Sequence, residues 1–600
     1  MAAWSAAVEL AHARPTYPRK GHAGPLPRQS ARAGTQSCLP WEVTVLSGVS
    51  EDPARMRISV SPLGDMLLKS WDQYPDKEAI VFPTGRTTYD ALTRSVMRRA
   101  RALIGLGIRP GDHVGILLPS GTEFIETLFA VSMIGGVAVL MNARYRAPEV
   151  RYVVENADLV AVVTNSESDE FVDFVARLTE AFPALATCTN PLAIGLAEAP
   201  KLRRLILHGG KQAPGFIDQA AFERAAQAIT EDAVHEARLA VRLRDTCMIL
   251  YTSGTSANPK GCVLSNEAIC REASNLARNR WAFTPAERVW SPMPLFHIAA
   301  MLAMLGAIEV GGTFIGQPHF EPGESLRQIE TERATMVFLP FVTFHQAMIA
   351  HPDWDKTDMS SVRLMNSCFS QMPKSVGDAY RAKMPNALQV GTFGMSEASG
   401  IVATGGYDMD PELGFQALGY PLKGISVRIV SPETGQEVPV GERGEVWIRG
   451  YSMLDGYYGD PIKTAEAIDH EGWYRSGDIG SVDENGHMRF HGRFKDMLKV
   501  GGENVAAAEV EAVLDSHDAV ELTQVIGIPD ARLEEVPAAF VKLHNGSVSP
   551  EELIAYVRER IASFKVPRHV RFVDEWPMSA SKIQKFKLRQ QLMAELGLSD

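Results

Sequence analysis

Several function classes are excluded by what this 600-residue chain has little of. There are only 6 cysteines, Cys38, Cys188, Cys247, Cys262, Cys270 and Cys368, and none sit at a paired metal-ligand spacing. Neither a disulfide framework nor a zinc module is indicated, and a reduced, cytoplasmic protein is expected. A basic excess is missing too: the net charge is -12 and the isoelectric point about 5.8. Nucleic acid and anionic membrane surfaces are therefore not expected partners. Only "FIETLFAVSMIGGVAVLMNA", residues 124–143, approaches the length of a bilayer span. Glu126 and the Gly135-Gly136 break make it a buried helix followed by a buried strand, so no integral membrane span is expected. With 45% hydrophobic and 22% charged residues, the chain reads as globular and multidomain, as a monomer or homodimer.

Residues 1–56 are rich in Ala, Arg, Pro and Gly and poor in acids, with no hydrophobic secretory core. A disordered extension is expected, with an organelle-import segment or a start at Met56 as the alternatives. From there the pattern alternates. "SVMRRARALIGLGI" and "VRYVVENA" have helical periodicity, whereas "DHVGILLP" and "DLVAVVTN" read as buried strands. An α/β architecture with mostly parallel strands follows. From about Leu413 short strands and turns take over, with hairpins expected around Glu433-Thr434-Gly435 and Glu442-Arg443-Gly444 in a β-rich subdomain. After "HGRFKDMLKVGGENV" a compact α+β unit is expected, with helices over 507–516 and 550–563 and strands over 521–528 and 538–543.

The loop "YTSGTSANPKG", residues 251–261, follows the apolar run "DTCMIL" and so springs from a strand end. Phosphate loops occupy such places. Its Ser and Thr hydroxyls and glycine-freed N–H groups suit a polyphosphate, and Lys260 would neutralise part of the charge. It is not a Walker A loop, because Gly254 and Lys260 do not fit G-x-x-x-x-G-K-[ST]. An ordinary Ser/Gly surface turn is the competing reading.

The loop is followed in fixed order by "SPMPLFHIAA", "TFGMSEAS", "GYY" with "EGWYRSGDIG", "HGRFKDMLKVGGENV" and "PMSASKIQK". This series resembles the adenylate-forming superfamily of acyl-CoA synthetases, luciferases and nonribosomal adenylation domains, from Met56 to the C-terminus. The resemblance implies a large AMP-binding domain over 57–494 and a small mobile α+β domain over 495–600. It also implies ATP, Mg²⁺ and coenzyme A, and a carboxylic acid substrate turned over through an acyl-adenylate. Thr252, Ser253, Gly254, Thr255, Ser256 and Lys260 then form the phosphate loop. Phe393, Gly394, Met395 and Ser396 lie along adenine and the α-phosphate. Glu397, with Thr252, holds Mg²⁺. Asp478 accepts the ribose hydroxyls, with Arg493 as its ribose or phosphate partner. Lys582 stabilises the reacting phosphorus. Lys495 is the hinge between two working states, and Val500, Gly501, Gly502 and Glu503 line the pantetheine tunnel.

Two departures from the family pattern stand out: Ser581 replaces the usual glycine before the motif lysine, and "NSCFSQMP", residues 366–373, replaces "GGAP". The resemblance puts His297 between the acyl and thiol pockets. Phe341 in "FLPFVTF" and Phe369 in "NSCFSQMP" offer aromatic walls. "PLFHIAAMLAML" lacks the aspartate that would hold a substrate ammonium, so a hydrophobic acid is expected: fatty, aryl, alicyclic or steroid side-chain. Transfer to a separate carrier protein is the nearest alternative, followed by a luciferase-like oxygenase and a catalytically silent binding homologue.

Overall fold

The computed structural model describes residues 60–166, 172–252, 259–367, 372, 374–416, 418–500, 503–530, 532–544, 548–579 and 582–598. All of them belong to one compact unit, Ser47–Asp600. Its larger part is built on two seven-stranded sheets. One runs, in spatial order, Leu388–Val390, Leu364–Asn366, Met336–Phe338, Arg288–Ser291, Thr313–Gly316, Glu78–Phe82 and Gly85–Thr88, parallel except for the last pair. The other runs Gly456–Tyr457, Lys260–Ser265, Thr246–Thr252, Val137–Leu140, His113–Leu117, Ala161–Asn165 and Arg204–His208. Strands such as Val137–Leu140, buried at every position, are continuous apolar runs, as parallel strands buried on both faces are.

The 124–143 run divides as expected from its glycine pair. Thr122–Met133 is a helix buried from Phe124 onward, and Val137–Leu140 is a strand between two others. At 12 residues that helix falls far short of the roughly 20 a bilayer needs, and among the described residues no helix is long and apolar enough to cross a membrane.

A four-stranded antiparallel sheet, Ile425–Val430, Gly444–Gly450, Tyr474–Val482 and Met488–Arg493, forms the β-rich portion. Its first two strands make a single hairpin, not two: residues 431–443 return through the turn at Gly435 and one bridge, Val430 to Glu437. The Glu442-Arg443-Gly444 turn only leads into the second strand.

The C-terminal portion has its own sheet, Glu503–Ala506, Met497–Val500, Glu534–Leu543 and Val520–Asp530, with His569–Phe572 added in parallel. Helices Ala507–Asp515 and Pro550–Arg558 pack on it, the second opened by a Ser549–Glu552 capping box. Leu498, Val505, Val510, Leu514, Val525, Val541, Leu553 and Val557 form a core separate from the main one. A private core of this kind is what a domain needs to move as a body.

Candidate active site

The two feet of the 251–261 loop are fixed by strand pairing. Thr252 stands opposite Lys260 in an antiparallel register that carries on to Thr246 and Ser265. The tip, with Ser253, Gly254, Thr255 and Ser256, lies outside the described residues. Gly261 permits the close return: a Cβ there would stand 2.9 Å from Ile249 Cγ2 and 3.2 Å from the Tyr251 ring. Tyr152 Oη donates to the Pro259 carbonyl at 3.0 Å, and the Tyr458 N–H donates to the Gly261 carbonyl at 2.8 Å. Beneath the hairpin the Cys262 thiol is fully buried, and burial holds its pKa well above the usual value, so it stays protonated.

The "TFGMSEAS" segment is a strand, Thr392–Met395, a single 3-10 turn, Ser396–Ala398, and a return strand, Gly400–Thr404. A bulge between Phe393 and Gly394 brings Gly394 so close to the facing strand that a Cβ would lie 1.8 Å from the Gly400 carbonyl oxygen. Only glycine fits there. Ser399 closes the turn at φ +55°, its hydroxyl donating to the Ser452 carbonyl at 2.6 Å. Glu397 is therefore presented on a pinned turn, its own carbonyl accepting from the Leu454 N–H at 2.8 Å. Met395 and Ser396 beside it are half-buried, whereas Phe393 is buried with its ring centroid 6.3 Å from that of Phe490.

Lys260 and Glu397 meet across one residue absent from the sequence expectation. The Tyr457 hydroxyl donates to Glu397 Oε1 at 3.2 Å, and Lys260 Nζ stands 4.7 Å from the centre of the same ring. A second phenol, Tyr474, lies 3.3 Å from the Tyr457 hydroxyl. Burial and the Glu397 charge push both phenols far above their ordinary pKa, so both carry their protons. Tyr457 falls inside the quoted "GYY"; what the sequence did not disclose is that Gly456–Tyr457 pairs with Cys262 and Val263.

Asp478 and Arg493 face each other across two antiparallel strands, with Arg493 Nε 2.9 Å from Asp478 Oδ1. The Asp478 side chain is 3% exposed and that of Arg493 44%, so the pair joins a buried carboxylate to a solvent-facing guanidinium. The chain then passes through the 3-10 turn Phe494–Asp496, which contains Lys495, into the strand Met497–Val500. The Val500 side chain is taken up by the C-terminal core, and Gly501 and Gly502 lie outside the described residues. Glu503 opens the strand Glu503–Ala506.

Lys582 begins the short strand Lys582–Ile583, which pairs with Met578–Ser579. Ile583 packs into a cluster with Val342, Leu522, Met372 and Trp576, and Gln346 Nε2 donates to the Glu521 carbonyl at 2.6 Å. The Lys582 strand thus lies against the helix Val342–Ile349, whose N-cap is Phe341. The neighbouring Lys585 is committed elsewhere, to Glu511 Oε1 at 2.6 Å.

Around the expected acyl site, His297 caps the helix Ile298–Glu309, every residue of which is buried. Its ring lies 4.7 Å from that of Phe296. The Phe341 ring meets Phe344 edge-on at 5.5 Å, and Phe344 stacks on Phe320 at 4.0 Å. The helix's one acid, Glu309, is held by Arg278 at 2.9 Å and Lys69 at 3.4 Å. His345 is fully buried among Tyr380 and Phe415, and burial depresses it to about 3, so it is neutral at physiological pH. Phe369 lies outside the described residues.

Comparisons with known proteins cover both the portion that carries the 251–265 hairpin and the Glu397 turn and the C-terminal portion that carries the Lys582 strand. The AMP-binding enzyme model matches residues 67–458, and the AMP-binding enzyme C-terminal domain model matches 509–582.

The chain belongs to the AMP-binding enzyme family.

This AMP-binding enzyme is 35% identical over 547 residues to YngI of Bacillus subtilis (strain 168), assigned by name to the acyl-CoA synthetases, across 90% of this chain and 98% of YngI. It is 34% identical over 508 residues to a feruloyl-CoA synthase of Amycolatopsis sp, across 84% and 93% of the two chains. Its fold superposes on the crystal structure of the anthranilate CoA ligase AuaEII in complex with anthranoyl-AMP with a TM-score of 0.78 at 24% identity, covering 90% of this chain and 99% of that one. The enzyme is an AMP-forming acid–CoA ligase.

Proposed function

We propose that this ligase activates a hydrophobic carboxylic acid whose only charge is the reacting carboxylate. One carboxylate oxygen attacks the α-phosphorus of ATP while the bond to pyrophosphate breaks. The coenzyme A thiolate then attacks the acyl carbonyl, and AMP leaves. The observation that carries the substrate reading is that the two helices begun by His297 and Phe341 offer no unpaired charge from Glu309 or His345: Glu309, at the far end of its helix, is ion-paired, and His345 is neutral. A substrate ammonium or second carboxylate would find no counter-charge among them, and an unpaired ion in a low-dielectric pocket costs several kcal/mol.

The roles divide by position. Lys260 and the 251–261 loop neutralise the phosphates. Glu397 and the Thr252 hydroxyl would hold Mg²⁺, and the fit rests on donor chemistry: a hard carboxylate with one oxygen held by the Tyr457 hydroxyl. Mg²⁺ ordinarily takes one or two carboxylates plus substrate phosphates and water, a set that one carboxylate and one hydroxyl beside the ATP phosphates can provide. When bound, the ion supplies positive charge to the phosphate oxygens. Asp478, steadied by Arg493, receives the ribose hydroxyls. Lys582 serves the adenylating state only. Residues 495–600 would swing about Lys495 to bring the 500–503 segment to the thiol.

The test ranks kcat/KM for octanoate, benzoate, cyclohexanecarboxylate, a bile-acid-like steroid, phenylalanine and succinate. Within an accepted series each added buried CH₂ is expected to strengthen binding by up to about 0.8 kcal/mol until the pocket is full. Preference for phenylalanine or succinate would overturn the reading. Acyl-AMP formation without coenzyme A turnover would move it to carrier-protein transfer.

A further inference from the structure

Lys260 and Glu397 carry opposite charges in one site, and long flexible side chains of opposite charge tend to collapse into an ion pair. They are not paired here. The Tyr457 ring lies against the ammonium on one face, while its hydroxyl engages Glu397 Oε1. Tyr457 has one hydroxyl proton; since Glu397 is acceptor-only when ionised, that proton goes to the carboxylate, and Tyr474 must then donate to the Tyr457 oxygen. The ring itself is fixed. Gly456–Tyr457 is a strand paired with Cys262 and Val263, and the Tyr457 N–H donates to Thr464 Oγ1 at 2.9 Å. Tyr457 is 6% exposed and Tyr474 is likewise 6%, so bulk water is largely kept from both rings.

We infer that Tyr457 is a positioning residue that keeps the phosphate lysine and the metal carboxylate apart and separately aimed. Its ring holds Lys260 by a cation–π contact on the phosphate side. Its hydroxyl, backed by Tyr474, occupies one lone pair of Glu397 Oε1 and so competes with the lysine for that carboxylate. Without the ring the two charges neutralise each other, and both ligands are lost at once. This rests on the reading of Lys260 and Glu397 given above.

The test uses the full-length enzyme with ATP, a preferred acid and MgCl₂, following acid-dependent ATP–pyrophosphate exchange. Groups that orient a metal ligand change metal affinity by about 10–100-fold. Tyr457→Phe keeps the ring and loses the hydroxyl: the half-saturating Mg²⁺ concentration is expected to rise about tenfold with the ATP KM nearly unchanged. Tyr457→Leu loses both, so the ATP KM is expected to rise about tenfold as well. Far-UV circular dichroism serves as the control for folding and is expected to be unmoved in both. Should Tyr457→Phe not fold, Tyr474→Phe is expected to shift the Mg²⁺ requirement in the same direction by a smaller factor, about two- to threefold. Glu397→Gln separates the two layers of inference. If it leaves the Mg²⁺ dependence unchanged, the metal reading itself fails. If it raises the Mg²⁺ requirement while Tyr457→Phe does not, the positioning role alone is overturned. Identical Phe and Leu phenotypes would remove the spacer part.

Discussion

Leu522→Ala is the perturbation that most directly tests whether the small domain rests in its adenylating position. Leu522 is 7% exposed and Val342 8%, and the two are joined in one apolar cluster with Met372, Trp576 and Ile583. The change removes three carbon atoms, worth at most about 2.4 kcal/mol at roughly 0.8 kcal/mol each. Part of that surface is reburied when the domain turns away, leaving about 1–2 kcal/mol, or about a 5–30-fold change in the equilibrium. If one state makes acyl-AMP and the other makes thioester, the ratio of the two half-reaction rates follows that equilibrium whichever state dominates. Acid-dependent ATP–pyrophosphate exchange measures the first half, and acyl-CoA formation from supplied acyl-AMP measures the second. The first-to-second ratio is expected to fall about 5–30-fold. Gln346→Ala, which removes the donor to the Glu521 carbonyl, is expected to lower it about fivefold, since one neutral hydrogen bond is worth about 1 kcal/mol net. An unchanged ratio, with both halves intact or both equally reduced, would refute this account of the seam.

Further outcomes follow from single groups. Asp515 sits in the small domain with its Oδ1 buried and without a hydrogen-bond partner, and burial pushes its carboxyl up to about 8. Its folded pKa lies above its unfolded value near 4, so the native state holds the extra proton and this group's contribution is lost as pH rises from about 4 to about 8. Urea midpoints are expected to fall over that range by the equivalent of up to about 5–6 kcal/mol, roughly four units at about 1.4 kcal/mol per unit, and Asp515→Asn is expected to flatten the curve; equal slopes in both proteins would contradict this. Arg493→Ala strips the buried Asp478 of its partner, and the ATP KM is expected to rise about tenfold with the coenzyme A KM unchanged, consistent with about 1.5–3 kcal/mol for a charged hydrogen bond; an unaltered ATP KM would remove Asp478 from the nucleotide site.

The alternating elements were legible because strands buried on both faces are written as apolar runs and helices as 3.6-residue patterns. The 124–143 segment resolves itself through its glycine pair, and Ala507–Asp515 and Val520–Asp530 fall within two residues of their expected bounds, whereas the second C-terminal helix stops at Arg558, five residues early, and the strand ending at Leu543 begins at Glu534, four residues early. The 251–261 hairpin and the Thr392–Thr404 turn were legible as turns because glycines are sterically compelled there, at Gly261 and Gly394. Register was not legible. Nothing in the spacing of "GYY" and "YTSGTSANPKG" says that Tyr457 stands beside Cys262, or that Asp478 stands opposite Arg493 after a bulge. The hairpin count failed for a similar reason: Glu442-Arg443-Gly444 has turn chemistry, but no strand of matching length precedes it. The Val342–Leu522 seam joins residues of different domains, and each alone reads as ordinary core.

The most direct test of the ligase account is Lys582→Ala assayed in both half-reactions, with ATP, MgCl₂, coenzyme A and an acid accepted by the wild-type enzyme. Acyl-AMP and pyrophosphate formation is expected to fall by a factor of about 10² or more, the size of loss seen when one transition-state charge donor is removed. Thioester formation from supplied acyl-AMP is expected to remain near the wild-type rate. Equal loss in both halves, or a wild-type enzyme that makes ADP in place of AMP, would contradict it.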